Sequence, residues 1–318
     1  MAEYILQRTL ALVPVLAVVS LVTFGLIHFM PGDAAVAMLG PEATTAQIAE
    51  LRESLGLNDP IWMQFWAWLT GAVTGDLGTS IFAARPVTEV LFNALGPTVH
   101  LAIQAQLLAI LIGVPAGILA AKKQGTGTDQ SVMVGALLGI SVPSFLLGLF
   151  LMLLFGVILG WLPVAGYRPI GDGFVDAMRY LTLPTLALGA MQAALIARMT
   201  RTAMLDTFSR NYMKTAKAKG LAPRVTLYKH ALRNAALPII TTIGQTLGSL
   251  VAGAAVVETV FNIPGIGQLI VNSIERRDLV VIQGVVLMIA VFYVLINFLI
   301  DLFYSILDPR VRFSGGDS

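Results

Sequence analysis

Six long apolar blocks dominate this sequence and restrict the folds open to it. They run near residues 9–30, 99–121, 131–159, 181–199, 237–257 and 280–304. A helix needs about 20 residues to cross a bilayer core, and a segment inside lipid must satisfy its backbone hydrogen bonds internally. The charged fraction of 12% is about half that of a soluble domain. The sequence therefore predicts an all-α, polytopic membrane protein with six transmembrane helices.

The first block needs a separate check, because Arg8 precedes it and Ala35-Val36-Ala37 follows it, as in a signal peptide. The apolar core of a signal peptide spans about 7–15 residues. The block is longer than that, and it is long enough to cross a bilayer. We interpret it as a retained first transmembrane helix.

The distribution of basic residues predicts the orientation of the spans. Six spans place both termini on the same side of the membrane. With the N-terminus inside, 14 of the 20 Lys and Arg residues fall in cytoplasmic segments. Basic residues are enriched on the cytoplasmic side of membrane proteins. The prediction is therefore N-in/C-in.

The predicted outer segment at about residues 31–97 is unusually long. Pro31-Gly32-Asp33 ends the first span, and a run with helical spacing follows from Thr44 to Leu55. Trp62, Trp66 and Trp68 come next; they are either interfacial anchors or a contact surface for an outer partner. We expect two parts in the chain: residues 1–97, with the first span and this segment, and residues 98–318, with five spans.

A second long segment, at about residues 200–234, is predicted to be cytoplasmic and holds nearly half of all Lys and Arg. Its pattern predicts a helix from Ser209 to Lys219, a break at Gly220, and a second helix from Pro223 through Leu232. A positively charged loop that only fixes topology would account for its charge, but not for this internal order.

Several kinds of chemistry lack their sequence signatures. No Gly-Lys pair occurs, so the chain has no P-loop for nucleotide phosphates, and no His-Glu-x-x-His motif occurs. The absence of cysteine excludes disulfides and thiolate metal sites, and a net charge of +2 gives no reason to expect a nucleic-acid partner. We expect no catalytic residues, no metal and no cofactor on this chain, so energy coupling would need a separate ATPase.

The spans contain neutral polar residues and no mid-membrane charge, which argues against a proton-coupled carrier but leaves sodium coupling open. Such neutral groups usually bond between helices, and some could instead line a wet pathway. The candidates for a translocation pathway are Gln104, Gln192 and Gln245. Close helix packing is predicted at the Gly-x-x-x-Gly pairs, which are Gly113/Gly117, Gly135/Gly139, Gly156/Gly160 and Gly244/Gly248.

The cytoplasmic segment also carries a resemblance. Residues 212–221, with His230–Asn234 and Leu237-Pro238, resemble the EAA loop of ABC importer permeases. The general pattern has Glu-Ala-Ala where this chain has Lys214-Thr215-Ala216, a departure typical of the peptide branch. Further matching motifs are Pro31-Gly32-Asp33, Leu55–Pro60, Gly75–Gly78, Ser141–Phe145, Leu183–Leu188, Phe261–Gly267 and Asp308–Arg312. The chain resembles the first transmembrane subunit of peptide-type ABC importers, the DppB/OppB family of dipeptide and oligopeptide permeases.

The resemblance implies an ABC type I importer transmembrane fold with a cytoplasmic EAA coupling loop, in the inner membrane. It implies a heterodimer with a second homologous permease, two cytoplasmic ABC ATPases that hold ATP and magnesium, and an extracytoplasmic solute-binding protein. The binding protein would use the long outer segment and the loop at about residues 258–279. The residues implied to couple to the ATPase are Lys214, Thr215, Ala216, Lys217, Ala218, Lys219, Gly220 and Leu221.

The expected function is ATP-driven import of di- or oligopeptides by alternating access. Related systems also carry glutathione, nickel or oligosaccharides. The alternative is a self-contained secondary carrier or channel, which would transport without ATPases. A membrane-embedded enzyme is a third class, for which no catalytic constellation is visible.

Overall fold

The computed structural model describes residues 2–28, 34–40, 42–54 and 56–307. The predicted features at Pro31-Gly32-Asp33, at Leu55 and at Asp308–Arg312 lie outside these residues, as does the side chain of Lys217.

The described residues are helical almost throughout. An isolated antiparallel bridge joins Thr79 to Pro86. The helices, in chain order, are α1 (Ala2–His28), α2 (Ala34–Leu39), α3 (Thr45–Ser54), α4 (Ile61–Thr74), α5 (Val87–Lys122), α6 (Gly127–Ser141), α7 (Ser144–Leu151), α8 (Phe174–Ser209), α9 (Asn211–Ala218), α10 (Pro223–Val225), α11 (Arg233–Val260), α12 (Ile266–Arg276) and α13 (Leu279–Leu307). Two π-helical segments, Met152–Ile158 and Thr226–Leu232, continue α7 and α10.

Four helices of the described chain are continuous and apolar enough to cross a membrane, namely α1, α5, α8 and α13. Two further spans exist if each bent pair counts as one. Gly127–Ser141 and Ser144–Ile158 meet at 100°, and Pro223–Leu250 and Gly253–Val260 meet at 51°. The all-α membrane class is confirmed. The number six and the N-in/C-in orientation stay predictions.

The 100° bend lies in the middle of the third predicted span and follows from Pro143. Val142 adopts an extended backbone with φ −86° and ψ 121°, as the residue before a proline tends to do. Proline itself lacks the N–H that would continue the helix ladder. Pro14, Pro115 and Pro184 lie inside helices that continue through them.

Several helices extend beyond the apolar blocks that predicted them. α5 begins at Val87 rather than near residue 99, and α8 runs to Ser209 rather than ending near residue 199. Hydropathy detects the lipid-facing part of a helix, whereas the backbone ladder continues into polar sequence. The predicted cytoplasmic loop therefore begins about ten residues later than residue 200.

The chain divides into two compact units, the first formed by residues 1–96 and 264–298. Its core joins the start of α5 to α12 and α13 through Val87, Ile266 and Val285. The predicted start of α3 is confirmed, because Thr44 and Gln47 form a reciprocal cap: the Thr44 N–H donates to Gln47 Oε1 at 2.9 Å, and the Gln47 N–H donates to Thr44 Oγ1 at 3.3 Å.

Two polar contacts bind distant parts of the first unit together. The Ser80 hydroxyl donates to the buried carboxylate of Asp278 at 2.6 Å. The Gln283 amide donates to the Thr23 carbonyl at 3.1 Å, which ties α13 to α1. On α4, Trp62 and Trp66 are exposed, as expected for interfacial anchors or a contact surface.

The second unit comprises residues 97–263 and 299–318, and α8 lies at its centre. It packs against α6, α7 and α11. α8 also lies close to α5, because an added Cβ at Gly113 or Gly117 would lie 2.6 or 2.5 Å from the carbonyl oxygens of Ala193 and Ala197. The prediction of close packing is confirmed there. It is wrong for Gly135, where a Cβ would meet nothing within 4 Å.

Candidate functional site

The predicted coupling segment lies between α8 and α11 and folds as helix, turn and helix. α9 ends where the Leu221 N–H donates to the Ala216 carbonyl at 3.3 Å, closing the last turn. Gly220, between them in the turn, has φ +74°. Because a side chain is disfavoured at positive φ, glycine is the residue that permits this reversal. The break at Gly220 and the second helix start at Pro223 are as predicted.

The coupling candidates divide into buried and exposed residues. Ala216 is buried and therefore presents no surface. Met213, also buried on α9, anchors that helix to the bundle in a cluster with Met204, Ala231 and Ala235. The candidates with exposed side chains or backbone are Lys214, Thr215, Ala218, Lys219, Gly220 and Leu221.

Apolar residues that sequence reasoning missed are exposed on the same element. They are Tyr212, Leu221, Val225 and Tyr228; of these, only Leu221 was a candidate. In a segment rich in basic residues, a group of exposed apolar side chains indicates a contact surface for another protein. The two tyrosines in an otherwise basic sequence are the feature from which this apolar surface could have been predicted.

Charges surround this apolar group. Arg210 donates to Asp206 at 2.9 Å, and this hydrogen bond raises the pKa of the arginine. Tyr212 is exposed in part, and the partial burial of its phenol raises the pKa of that group, so it is uncharged at physiological pH. Lys214 and Lys219 are exposed and form no ion pair with any described residue. The element thus presents free positive charge beside exposed apolar area.

A second candidate site lies where α8 packs on α11. Both helices contribute residues at the spacing i, i+3, i+4, i+7, which places them on one face. They border an open cavity of about 320 Å³ lined by Leu195, Arg198, Met199, Thr202, Thr242, Gln245, Thr246 and Ser249.

The structure brings two of the three predicted pathway residues to this face. Gln245 is exposed and lines the cavity. Gln192 is buried and its amide donates to the cavity-lining Ser249 hydroxyl at 3.2 Å. Gln104 lies elsewhere, on α5, and accepts a hydrogen bond from Thr185 at 3.3 Å.

Gln106, which was not a pathway candidate, forms hydrogen bonds between helices, as polar residues in spans usually do. The Gln106 amide donates to the Ile243 carbonyl at 3.3 Å and to the Thr246 hydroxyl at 3.2 Å, joining α5 to α11. Gln106 is buried, and its hydrogen bond to Thr246 holds a cavity-lining residue in place from behind.

Arg198 is the residue of this site that sequence reasoning missed. Its charge was counted with the cytoplasmic segment, because the apolar block ended next to it. The continuous helix α8 instead places it on the cavity face. Its spacing from Leu195 and Thr202, at i+3 and i+7 on one helix face, is the feature from which its position could have been predicted.

Comparison with known proteins identifies the family to which these features belong. Residues 113–313 match the family described as binding-protein-dependent transport system inner membrane component, and residues 1–102 match the N-terminal region of such membrane components. The chain belongs to this family. The permease is accordingly a multi-pass inner membrane protein and the transmembrane subunit of an ATP-driven importer.

Curated relatives resemble the permease over nearly their whole length. A probable peptide ABC transporter permease of Sinorhizobium fredii is 42% identical, covering 98% of this chain and 100% of that protein. The glutathione transport system permease GsiC of Shigella flexneri is 41% identical at the same coverage. The dipeptide transport system permease DppB of Alkalihalophilus pseudofirmus is 40% identical, again covering 98% of this chain and 100% of that protein.

A solved structure shares the fold. The inward-facing MetNI methionine ABC transporter matches with a TM-score of 0.56 and 21% identity, covering 69% of this chain and 96% of that chain. The predicted ABC importer transmembrane fold is thereby confirmed.

Proposed function

We propose that the permease conducts di- or oligopeptides, or a related small solute such as glutathione, into the cell by alternating access. The substrate class follows the names of relatives that are 40–42% identical over their full length. In this proposal the permease pairs with a second homologous permease and works with two cytoplasmic ABC ATPases and an extracytoplasmic binding protein. ATP and magnesium bind to the ATPases.

The observation that carries the coupling assignment is the turn at Gly220 between α9 and α10. The element is anchored on one side through Met213 and exposed on the other. A short helix held in this way can transmit the movement of an ATPase to α8 and α11, which continue directly from it. Its exposed apolar group supplies contact area, and its lysines supply electrostatic complementarity to an acidic groove.

The same proposal assigns a pathway and an orientation. The polar face of α8 and α11 lines the route for solute, with Gln192 and Gln245 on it and Gln104 as a further candidate on α5. The basic element faces the cytoplasm, which makes both termini cytoplasmic. The division at residues 97 and 98 into an outer-segment part and a permease part stays a prediction.

The coupling assignment is tested by co-expression with the ABC ATPases of the same organism and purification of the complex. Replacing Gly220 by proline, or deleting residues 215–221, should abolish co-purification and uptake. Gly125 offers a matched control, because it too has a positive φ, +78°, and open space around its Cβ position. Gly125→Ala and Gly220→Ala introduce similar backbone strain, and only the latter should weaken ATPase binding.

Stable, active complexes after deletion of residues 215–221 would refute the coupling assignment. Uptake by the permease in vesicles without any ATPase would instead support the self-contained carrier or channel.

A further inference from the structure

The cavity on the face of α8 and α11 contains an arginine without a partner. Arg198 is exposed, and its guanidinium forms no ion pair or hydrogen bond with the part of the chain that the structure describes. Arg201 lies three residues further along the same helix and differs in this respect. It donates from Nε and Nη2 to the two carboxylate oxygens of Asp129, at 2.6 and 2.8 Å.

The position of Arg198 makes its free charge informative. Arg198 lies at the end of the apolar block of α8, about 16 Å before the end of the helix itself at Ser209. A charged side chain near the end of a span faces water or the interior of a bundle, because exposure to lipid is costly. Arg198 is the only charged residue among the eight that line the cavity.

The other polar side chains at the cavity are neutral. The Gln192 amide behind the cavity is 5% exposed and donates to the Ser249 hydroxyl, which donates in turn to the Thr246 carbonyl at 2.8 Å. Among the residues that line the cavity, Arg198 is therefore the one that offers charged donors to a solute.

We infer that Arg198 is a binding site for the carboxylate group of the translocated solute. This inference rests on the proposed function and names the part of the solute that the pathway recognises. A guanidinium binds a carboxylate through two parallel N–H donors, which a lysine cannot reproduce. Gln245 supplies a further exposed amide in the same cavity.

The first experiment measures the local field and needs no substrate. Because the chain has no cysteine, Gln245→Cys places a single thiol in the cavity. Its rates of reaction with a sulfonate and with a trimethylammonium methanethiosulfonate reagent are compared in the assembled transporter. Arg198→Gln should lower the anion-to-cation rate ratio about tenfold, as removal of one charge a few ångströms away predicts. Arg179→Gln removes an exposed charge from the same helix outside the cavity and should leave the ratio unchanged. If Arg198→Gln leaves the anion-to-cation rate ratio unchanged, the inference is refuted.

The second experiment uses transport, with the binding protein saturated by each solute. Arg198→Gln should reduce uptake of a free-acid dipeptide at least tenfold while changing uptake of its C-terminal amide less than twofold, and Arg198→Lys should restore part of the loss. Equal losses for both solutes would show a structural role and refute the inference. The unmodified transporter could take up neither solute although Arg198→Gln lowers the anion-to-cation rate ratio. That result would refute the proposed substrate class but support Arg198 as an anion-binding site.

Discussion

The contact between α5 and α8 gives a sharp test of the packing, through Gly117→Ala. An added Cβ would lie 2.5 Å from the Ala197 carbonyl oxygen, 2.6 Å from Thr200 Cβ and 3.0 Å from the Arg201 nitrogen. Two of these three atoms belong to the backbone of α8 and cannot rotate away. To reach the 3.4 Å of ordinary contact, the helices would have to separate by about 0.9 Å.

The expected magnitude follows from two opposing effects. Overpacking a close-packed site costs about 1–3 kcal/mol. Replacing glycine by alanine within a helix recovers up to about 1 kcal/mol. Because backbone atoms block the new methyl group, the cost belongs in the upper half of its range. Gly117→Ala should therefore destabilise the protein by about 1–2 kcal/mol, a factor of roughly 5–30 in the unfolding equilibrium.

The assay is reversible unfolding of the purified permease in detergent, with Gly135→Ala as the matched control. Gly135 also lies inside a predicted span and in a Gly-x-x-x-Gly pair, but its Cβ would meet nothing within 4 Å. Only the helix-propensity gain operates there, so this variant should be as stable as the parent or more stable by up to about 1 kcal/mol. Equal destabilisation by both variants would refute the close approach at Gly117.

Three further outcomes are expected. Asp129→Asn removes one partner of a buried ion pair and should lower the unfolding midpoint. Asp206→Asn, at an exposed ion pair, should leave the midpoint nearly unchanged. Equal shifts for the two variants would contradict the burial of Asp129. Tyr228→Ala, by removing an exposed aromatic from the coupling element, should weaken ATPase binding about tenfold or more in a titration without altering the unfolding midpoint, and undiminished binding would exclude this ring from the interface. Ser80→Ala deprives the buried Asp278 carboxylate of a donor at 2.6 Å and should cost about 2 kcal/mol of unfolding free energy, and a neutral effect would show that this contact does not stabilise the first unit.

Motifs with a local physical cause were predictable from the sequence. The cap at Thr44 and Gln47, the break at Gly220 and the helix start at Pro223 each depend on interactions within a few residues. The bend at Pro143 was only partly predictable. A proline inside an apolar block allows a kink or a full break, and Pro184 lies inside α8, which continues through it. Tertiary packing, which the local pattern does not contain, decides between the two.

Roles that depend on which face of a helix is covered were not predictable. Ala216 belonged to the coupling motif in the sequence, but it is buried, because α9 must pack one face against the bundle through Met213. From the sequence alone there was no reason to prefer Gln192 over Gln104 as a residue of the translocation pathway. The packing of α8 on α11 placed only Gln192 next to the cavity, whereas Gln104 faces Thr185.

The end of α8 shows how a small error in a helix boundary changes a functional interpretation. Positive-inside counting treats Arg198 and Arg201 alike, as two cations of one cytoplasmic segment. Once the helix continues to Ser209, their three-residue separation turns the side chains by about 60° around the axis, since each residue advances about 100°. That rotation is enough to direct Arg201 to Asp129 while Arg198 lines the cavity. The two charges that the topology prediction counts alike therefore divide into a structural ion pair and a free cation on the polar face, and only the free cation is available to bind a solute.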